Sequence, residues 1–159
     1  MRSFKINFDG AIFRQENKSR IGVVIHDHTG AVIASLPQTI APALQPIEVE
    51  AIAAARALEF VEEIVIIEAV LEGDSELIIN SLKGAGHSIV SVEALLHDAM
   101  VFSNCYAKLL YTHCRRDGNR LAHSLARYSI NVSSYVVWME GVPDPLFTVV
   151  QQDVANLAN

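Results

Sequence analysis

The chain begins with three strand-type segments and only then forms a long helix-type segment, and this order constrains the fold more than any other feature. Residues 4–9 alternate apolar and polar side chains, which predicts a strand with one buried face. Two β-branched runs, residues 20–26 and 31–36, surround a short turn that ends in glycine, so they predict a hairpin. Residues 47–64 are rich in Ala, Leu and Glu and follow Pro46, which suits a first helical turn. We therefore expect a three-stranded meander followed by a helix.

The second half of the chain continues the alternation of strands and helices. Strand-type patterns are predicted at residues 66–72 and 107–113, and helix-type patterns at residues 75–82, 90–102 and 117–128. The resulting order, β-β-β-α-β-α-α-β-α, predicts an α/β fold in which a mixed five-stranded sheet is flanked by helices.

Length and composition favour one globular domain with a short extension. The chain has 159 residues, of which 51% are apolar and 19% are charged, a composition typical of globular rather than disordered proteins. We expect the domain at residues 1–135 and a C-terminal extension at residues 136–159 that packs on it or trails from it. No apolar run approaches the roughly 20 residues needed to span a bilayer, and the first residues lack the apolar stretch of a secretory leader. The two cysteines have neither disulfide nor zinc spacing, so an intracellular protein without membrane contact is expected.

Three separated acidic residues are candidates for a metal site. Asp9 ends the first predicted strand and Asp74 follows the fourth, so both lie at one edge of the sheet if those strands are neighbours. Helical phase places Glu50 on the face that turns towards the sheet, where a lone carboxylate costs several kcal/mol unless a cation or hydrogen bonds compensate. Divalent ions such as Mg²⁺ prefer carboxylate oxygens. Spacing alone leaves other roles open: a turn for Asp9, a helix cap for Asp74 and an ion pair for Glu50.

Five segments in this order resemble the ribonuclease H family, specifically the reverse-transcriptase-like domains of the non-LTR retroelement type that are common in plant genomes. The segments that carry the resemblance are Lys5–Ala11, Ile21–Gly30, Pro46–Ala51, Leu71–Ser75 and His113–Ala126. The likeness covers about residues 4–147, with Trp138 and Pro143 resembling the family's tail. It implies a ribonuclease H-like fold with Asp9, Glu50 and Asp74 as catalytic, metal-binding carboxylates.

The resemblance departs from the family at the fourth metal-binding position, where His123 replaces a carboxylate. Asn119, His123 and Arg127 share one polar stripe of the last predicted helix, so His123 can face the site. As a metal ligand, a neutral imidazole is softer than a carboxylate and brings no negative charge, so we expect weaker Mg²⁺ binding at a second metal position and a preference for Mn²⁺. His123 could instead handle a proton near the leaving group, or it could have no role.

The reaction implied by the resemblance is endonucleolytic cleavage of the RNA strand of an RNA–DNA hybrid by a two-metal-ion mechanism with Mg²⁺ or Mn²⁺. Contacts to the hybrid are predicted at Arg115, Arg116, Asn119 and Arg120. The surrounding basic cluster also includes Lys83, His87 and Arg127, although a solvated charged face is an alternative interpretation. The net charge of −6 and the lack of a basic insertion between the second and third helices predict weak affinity for the hybrid.

A different class of function stays open at this stage. The acidic charge and His123 also fit a ribonuclease H-like domain with little or no catalysis that serves as a nucleic-acid-binding or protein-interaction module. The three carboxylates weigh against that alternative, because nothing in the sequence explains why they would be retained without a metal ion.

Overall fold

The computed structural model describes residues 3–84, 90–128 and 134–157. The strands are β1 Phe4–Phe13, β2 Lys18–His26, β3 Val32–Ile40, β4 Glu68–Gly73, β5 Lys108–His113 and β6 Trp138–Met139. The helices are α1 Pro46–Glu63, α2 Glu76–Leu82, α3 Glu93–Ser103, α4 Arg120–Arg127 and α5 Phe147–Leu157. Short 3₁₀ turns at Val90–Val92 and Arg116–Asn119 precede α3 and α4, and a third at Asp144–Leu146 precedes α5.

The strands form one mixed sheet in the order β5-β4-β1-β2-β3-β6. β1 pairs in parallel with β4, and β4 in parallel with β5, whereas the other pairings are antiparallel. The predicted mixed α/β sheet is confirmed, but the predicted number of five strands is wrong for the described residues. The additional strand, β6, has only two residues, which is too short to produce an alternating pattern.

One face of the sheet packs against α1. Apolar side chains of β1 and β4, including the fully buried Phe8 and Leu71, contact the alanine-rich helix. α3 covers α1 from the outside, so buried residues occupy more of α1 than the single stripe expected for a surface helix. α1 is therefore fixed between two layers, which holds Glu50 near its start in a defined place.

The opposite face of the sheet carries α4, and Gly22 of β2 permits its close approach. A Cβ atom at Gly22 would lie 2.5 Å from the backbone nitrogen of Ala126, so only a residue without a side chain fits there. Leu121 and Leu125 of α4 are buried against this face together with Val24. The packing places the polar side of α4 next to the middle of β1.

The described part of the predicted C-terminal extension packs on the same sheet. β6 pairs with β3, and Val142 and Leu146 join the apolar cluster beneath α4. The boundary at residue 136 stays a prediction. Within the described ranges, no helix has the combination of length and apolar character that crossing a bilayer requires.

Candidate metal centre

Asp9, Glu50 and Asp74 come from three different elements and meet at one edge of the sheet. Asp74 directly follows β4, whereas Asp9 lies within β1, opposite Gly22, because β1 continues beyond the predicted strand end to Phe13. The parallel pairing of β1 with β4 brings the two aspartates together, and α1 supplies Glu50. One carboxylate oxygen from each acid lies within 4.8 Å of the other two. The structure thus brings together the acids that the sequence placed far apart.

Glu50 is held by one hydrogen bond and leaves its second oxygen unpaired. Oε1 accepts a hydrogen bond from the backbone N–H of Gly10 at 3.0 Å, whereas the buried Oε2 has no hydrogen-bond partner among the described residues. Burial, followed by the adjacent carboxylate of Asp9, raises the pKa of Glu50 to about 9, and the Gly10 N–H only partly offsets this. No ion pair to Glu50 is present in the described parts of the chain, so the ion-pair alternative for this residue is not supported.

Asp74 is half-buried beside the other two acids. Burial and the charge of Asp9 raise the pKa of Asp74, while Arg116 and His123 oppose that shift. The Arg116 Nε atom lies 3.7 Å from Asp74 Oδ2, which is an ion pair without a hydrogen bond. The alternative role of Asp74 as a helix cap is wrong, because Ser75 occupies the N-cap of α2 and its side chain accepts from the backbone N–H of Ile78.

Asp9 is only 3% exposed, and two side chains of α4 approach it. His123 Nδ1 lies 2.7 Å from Asp9 Oδ2, and Arg127 Nη1 lies 3.8 Å from the same oxygen. Within the described residues, the group of possible ligand atoms contains the three acids, and His123 contacts this group through Asp9. The predicted role of His123 as a direct metal ligand therefore stays a prediction, whereas its contact with a ligand carboxylate is a feature of the structure.

The donor set at this edge fits a divalent cation. Three carboxylates gather where the described residues provide no hydrogen-bond partner for Glu50 Oε2, and burial together with the charge of Asp9 raises the pKa of both Glu50 and Asp74. An all-oxygen donor set suits hard ions such as Mg²⁺ or Mn²⁺. The acids line a cleft of about 230 Å³, and the cationic groups on its wall are Arg116, His123 (when protonated) and Arg127.

The prediction that Asn119 contacts nucleic acid is corrected by its burial. Asn119 is 1% exposed, and its Nδ2 donates to the carbonyl oxygen of Phe8 at 2.9 Å. Its Oδ1 accepts from Asn7 Nδ2 at 3.2 Å. Both polar ends of the amide are used inside the protein, so Asn119 has a structural role at the start of α4.

The predicted basic residues occupy different surroundings. Arg115 and Arg116 are exposed, and Arg116 reaches the acid cleft. Arg120 instead donates a hydrogen bond to Gln152 of α5 at 3.3 Å, away from the acids. Arg127, which the sequence placed in a general basic cluster and on the polar stripe of the last helix, also lines the acid cleft. Lys83 is exposed, and His87 lies outside the described residues.

Comparison with known proteins agrees with this geometry. Residues 7–129 match the family described as reverse transcriptase-like. The ribonuclease H1 of the halophilic archaeon Halobacterium salinarum NRC-1 is 26% identical, with 79% of this chain and 95% of that chain covered and a TM-score of 0.72. No match was found among curated proteins.

Two more distant structures share the fold. The N-terminal RNase H domain of a Mycobacterium tuberculosis protein, solved as a fusion with maltose-binding protein, is 18% identical with both chains fully covered and a TM-score of 0.71. LC11-RNase H1, solved in complex with an RNA/DNA hybrid, is 24% identical, with 81% of this chain and 97% of that chain covered and a TM-score of 0.65.

Proposed function

The chain belongs to the reverse transcriptase-like family, and from this premise we propose that it is a ribonuclease H-type endonuclease that hydrolyses the RNA strand of RNA–DNA hybrids. The observation that carries the proposal is the meeting of Asp9, Glu50 and Asp74, whose carboxylate oxygens lie within 4.8 Å of one another. The similarity to the Halobacterium ribonuclease H1 extends over 95% of that chain and supports hydrolysis of RNA as the class of reaction. The hybrid in the LC11-RNase H1 complex supports the substrate, because the same fold accommodates it there. The plant and retroelement origin stays a prediction.

The three acids would hold the catalytic ions, Mg²⁺ or Mn²⁺, in the two-ion arrangement that the family resemblance implies. When bound, such ions supply an activated water and stabilise the charge on the reacting phosphate. The backbone N–H of Gly10 donates a hydrogen bond to Oε1 of Glu50, which leaves Oε2 available to coordinate an ion. A side chain at position 10 would overlap Val49, so the glycine also lets α1 come close enough for Glu50 to reach β1.

His123 orients one of the three acids in this proposal. Its Nδ1 donates a hydrogen bond to Asp9 and orients that carboxylate, in the way that neighbouring hydrogen bonds orient metal ligands. Its side chain is 23% exposed, and exchange of a proton between Nε2 and the leaving oxygen is the alternative role that the His123→Asp variant tests. Arg115 and Arg116 would contact phosphates of the hybrid, and the net charge of −6 keeps its affinity weak.

The test is a cleavage assay on a hybrid labelled in its RNA strand, with Mg²⁺ and with Mn²⁺. Asp74→Asn keeps the size of the side chain but removes a ligand charge, so cleavage should fall by at least about a hundredfold while the circular dichroism spectrum stays the same. Asp98→Asn makes the same chemical change at an exposed position of α3 and should cleave as the wild type does. Equal cleavage by the Asp74 variant would disprove the role of the acids.

A binding module without catalysis is the second candidate function. It is favoured by one observation, the contact of His123 and Arg127 with Asp9, which gives this carboxylate an imidazole and a guanidinium from the protein itself as partners. Binding of a fluorescent hybrid without cleavage in either metal ion would support this alternative. Cleavage that depends on Asp74 would exclude it.

A further inference from the structure

Arg127 and Asp9 compete for the same atom of His123. Arg127 lies one helical turn after His123, and its Nη1 atom is 2.8 Å from His123 Nδ1. Asp9 Oδ2 is 2.7 Å from that nitrogen. A ring nitrogen carries either one N–H or one lone pair in the ring plane, so it cannot donate to the carboxylate and accept from the guanidinium at the same time.

The contacts of Nδ1 with Asp9 and with Arg127 place different demands on that nitrogen. An ionised carboxylate offers only lone pairs, so Nδ1 must carry the proton when it bonds to Asp9. Arg127 Nη1 then cannot donate to Nδ1 despite their separation of 2.8 Å, and its acceptors in the described structure are more distant, at 3.5 Å for the His123 carbonyl oxygen and 3.8 Å for Asp9 Oδ2. Arg127 is thus a cation held beside the acids by charge, with most of its donors uncommitted and 47% of its side chain exposed.

A phosphate is the ligand that suits such a guanidinium. Arginine binds phosphate oxygens with two parallel N–H groups, and these charge-assisted bonds are stronger than neutral ones. The corner of the cleft occupied by Arg127 and His123 is the one where the family resemblance places a fourth carboxylate. The chain therefore has cationic or neutral side chains where that carboxylate would help to hold a second divalent ion.

We propose that Arg127 binds the phosphate that is cleaved and supplies the positive charge that a second divalent ion would otherwise bring. The inference rests on the proposed cleavage of hybrids and modifies its two-ion arrangement, because the guanidinium of Arg127 takes the place of one of the two ions. The proposal gives Arg127 two opposing effects, one on the binding of divalent cations and one on the rate of cleavage. The guanidinium weakens cation binding by the nearby acids through like-charge repulsion, and it accelerates cleavage by stabilising charge on the phosphate.

This opposition provides a test that a merely structural role would not pass. Mn²⁺ binding to the chain without nucleic acid is measured from the electron paramagnetic resonance signal of the free ion, and cleavage is measured in single-turnover assays on the labelled hybrid. We expect the wild type to bind one Mn²⁺ per chain. Arg127→Gln should bind Mn²⁺ about tenfold more tightly and cleave about a hundredfold more slowly.

Two further variants sharpen the interpretation. Arg127→Lys keeps the charge but loses the planar fork, so Mn²⁺ affinity should match the wild type while cleavage is reduced. Lys108→Gln removes one positive charge from the exposed start of β5, about 16 Å along the strand from its end beside Asp74, and should leave both measurements unchanged. The Lys108 variant controls for the change in net charge.

The possible results separate this inference from the proposed function. Loss of both Mn²⁺ binding and cleavage in Arg127→Gln would indicate a structural role and overturn the inference. Wild-type cleavage rates in that variant, or two tightly bound Mn²⁺ ions in the wild type, would overturn the inference and leave the proposed function intact. Failure of the wild type to cleave the hybrid in either metal would overturn both.

Discussion

Asn119 donates a hydrogen bond to the carbonyl oxygen of Phe8 and thereby ties the start of α4 to the residue that precedes Asp9. The two residues are distant in sequence, and their contact is buried. It fixes α4 relative to β1 at one end, while His123 meets Asp9 one turn later. The geometry of the acid cleft therefore depends on an amide that does not line it.

Replacement of Asn119 by alanine should destabilise the fold. The change leaves the buried carbonyl oxygen of Phe8 without its side-chain donor, and an unsatisfied buried acceptor costs about 1–3 kcal/mol. Urea denaturation followed by circular dichroism measures the free energy of unfolding. Asn104→Ala, at an exposed position that follows α3, is the matched control and should change this free energy by less than about 0.5 kcal/mol. Equal stability of the two variants would contradict the structural role of Asn119.

The order of strands and helices could be predicted because it depends on local periodicity. The meeting of the three acids was predicted from the family resemblance and from the assumption that the first and fourth strands are neighbours. Asn119 could not be assigned in the same way. Its place on the polar stripe of α4 is compatible with solvent, with a nucleic acid or with a buried partner, and the choice depends on β1, which is far away in sequence. Similarly, an isolated Gly22 in a strand indicates a close approach of another group but does not identify α4 as that group.

The raised pKa of Glu50 makes the stability of the metal-free protein depend on pH. Because the pKa rises from 4.5 to about 9 on folding, the folded state retains a proton that the unfolded chain releases. The free energy of unfolding should therefore decrease as the pH rises from about 5 to 9 in the presence of a chelator. Glu50→Gln mimics the protonated form and should show a smaller decrease, whereas Glu93→Gln, at an exposed site, should follow the wild type. A pH profile that is identical in the Glu50 variant and the wild type would contradict this burial effect.

Divalent ions should stabilise the folded chain through the same acids. A ligand that binds only the folded state at 100 times its dissociation constant contributes about 2.7 kcal/mol, so saturating Mn²⁺ should raise the melting temperature by several degrees. Addition of excess chelator should reverse the increase.

Asp74→Asn removes one ligand charge and should lose most of this stabilisation. Asp98→Asn provides the control at an exposed acid outside the cleft. Differential scanning calorimetry measures both variants. An increase in melting temperature that is as large in the Asp74 variant as in the wild type would place the ion elsewhere.

Substitution of Gly22 by alanine should displace α4 and weaken both stability and cleavage. The added methyl group would meet backbone atoms of α4, including the nitrogen of Ala126, which cannot rotate away as a side chain can. Overpacking of this kind costs about 1–3 kcal/mol. Gly141→Ala is the matched control, because a Cβ at that position has nothing within 4 Å. If Gly22→Ala has the same melting temperature as the wild type, the backbone of α4 does not lie as close to Gly22 as the structure indicates.

His123→Asp tests whether the departure from the family at the fourth position limits activity. The variant removes the hydrogen-bond donor of Asp9 and adds a carboxylate next to it, which should strengthen binding of a second hard ion and increase the cleavage rate in Mg²⁺. The ratio of the Mn²⁺ rate to the Mg²⁺ rate should decrease, since the softer imidazole no longer contributes. His123→Asn provides the uncharged control of similar size to aspartate, and it should not gain Mg²⁺ activity. If His123→Asp instead cleaves more slowly than the wild type in both ions while retaining its fold, the imidazole has a specific task in proton transfer that a carboxylate at this position cannot perform.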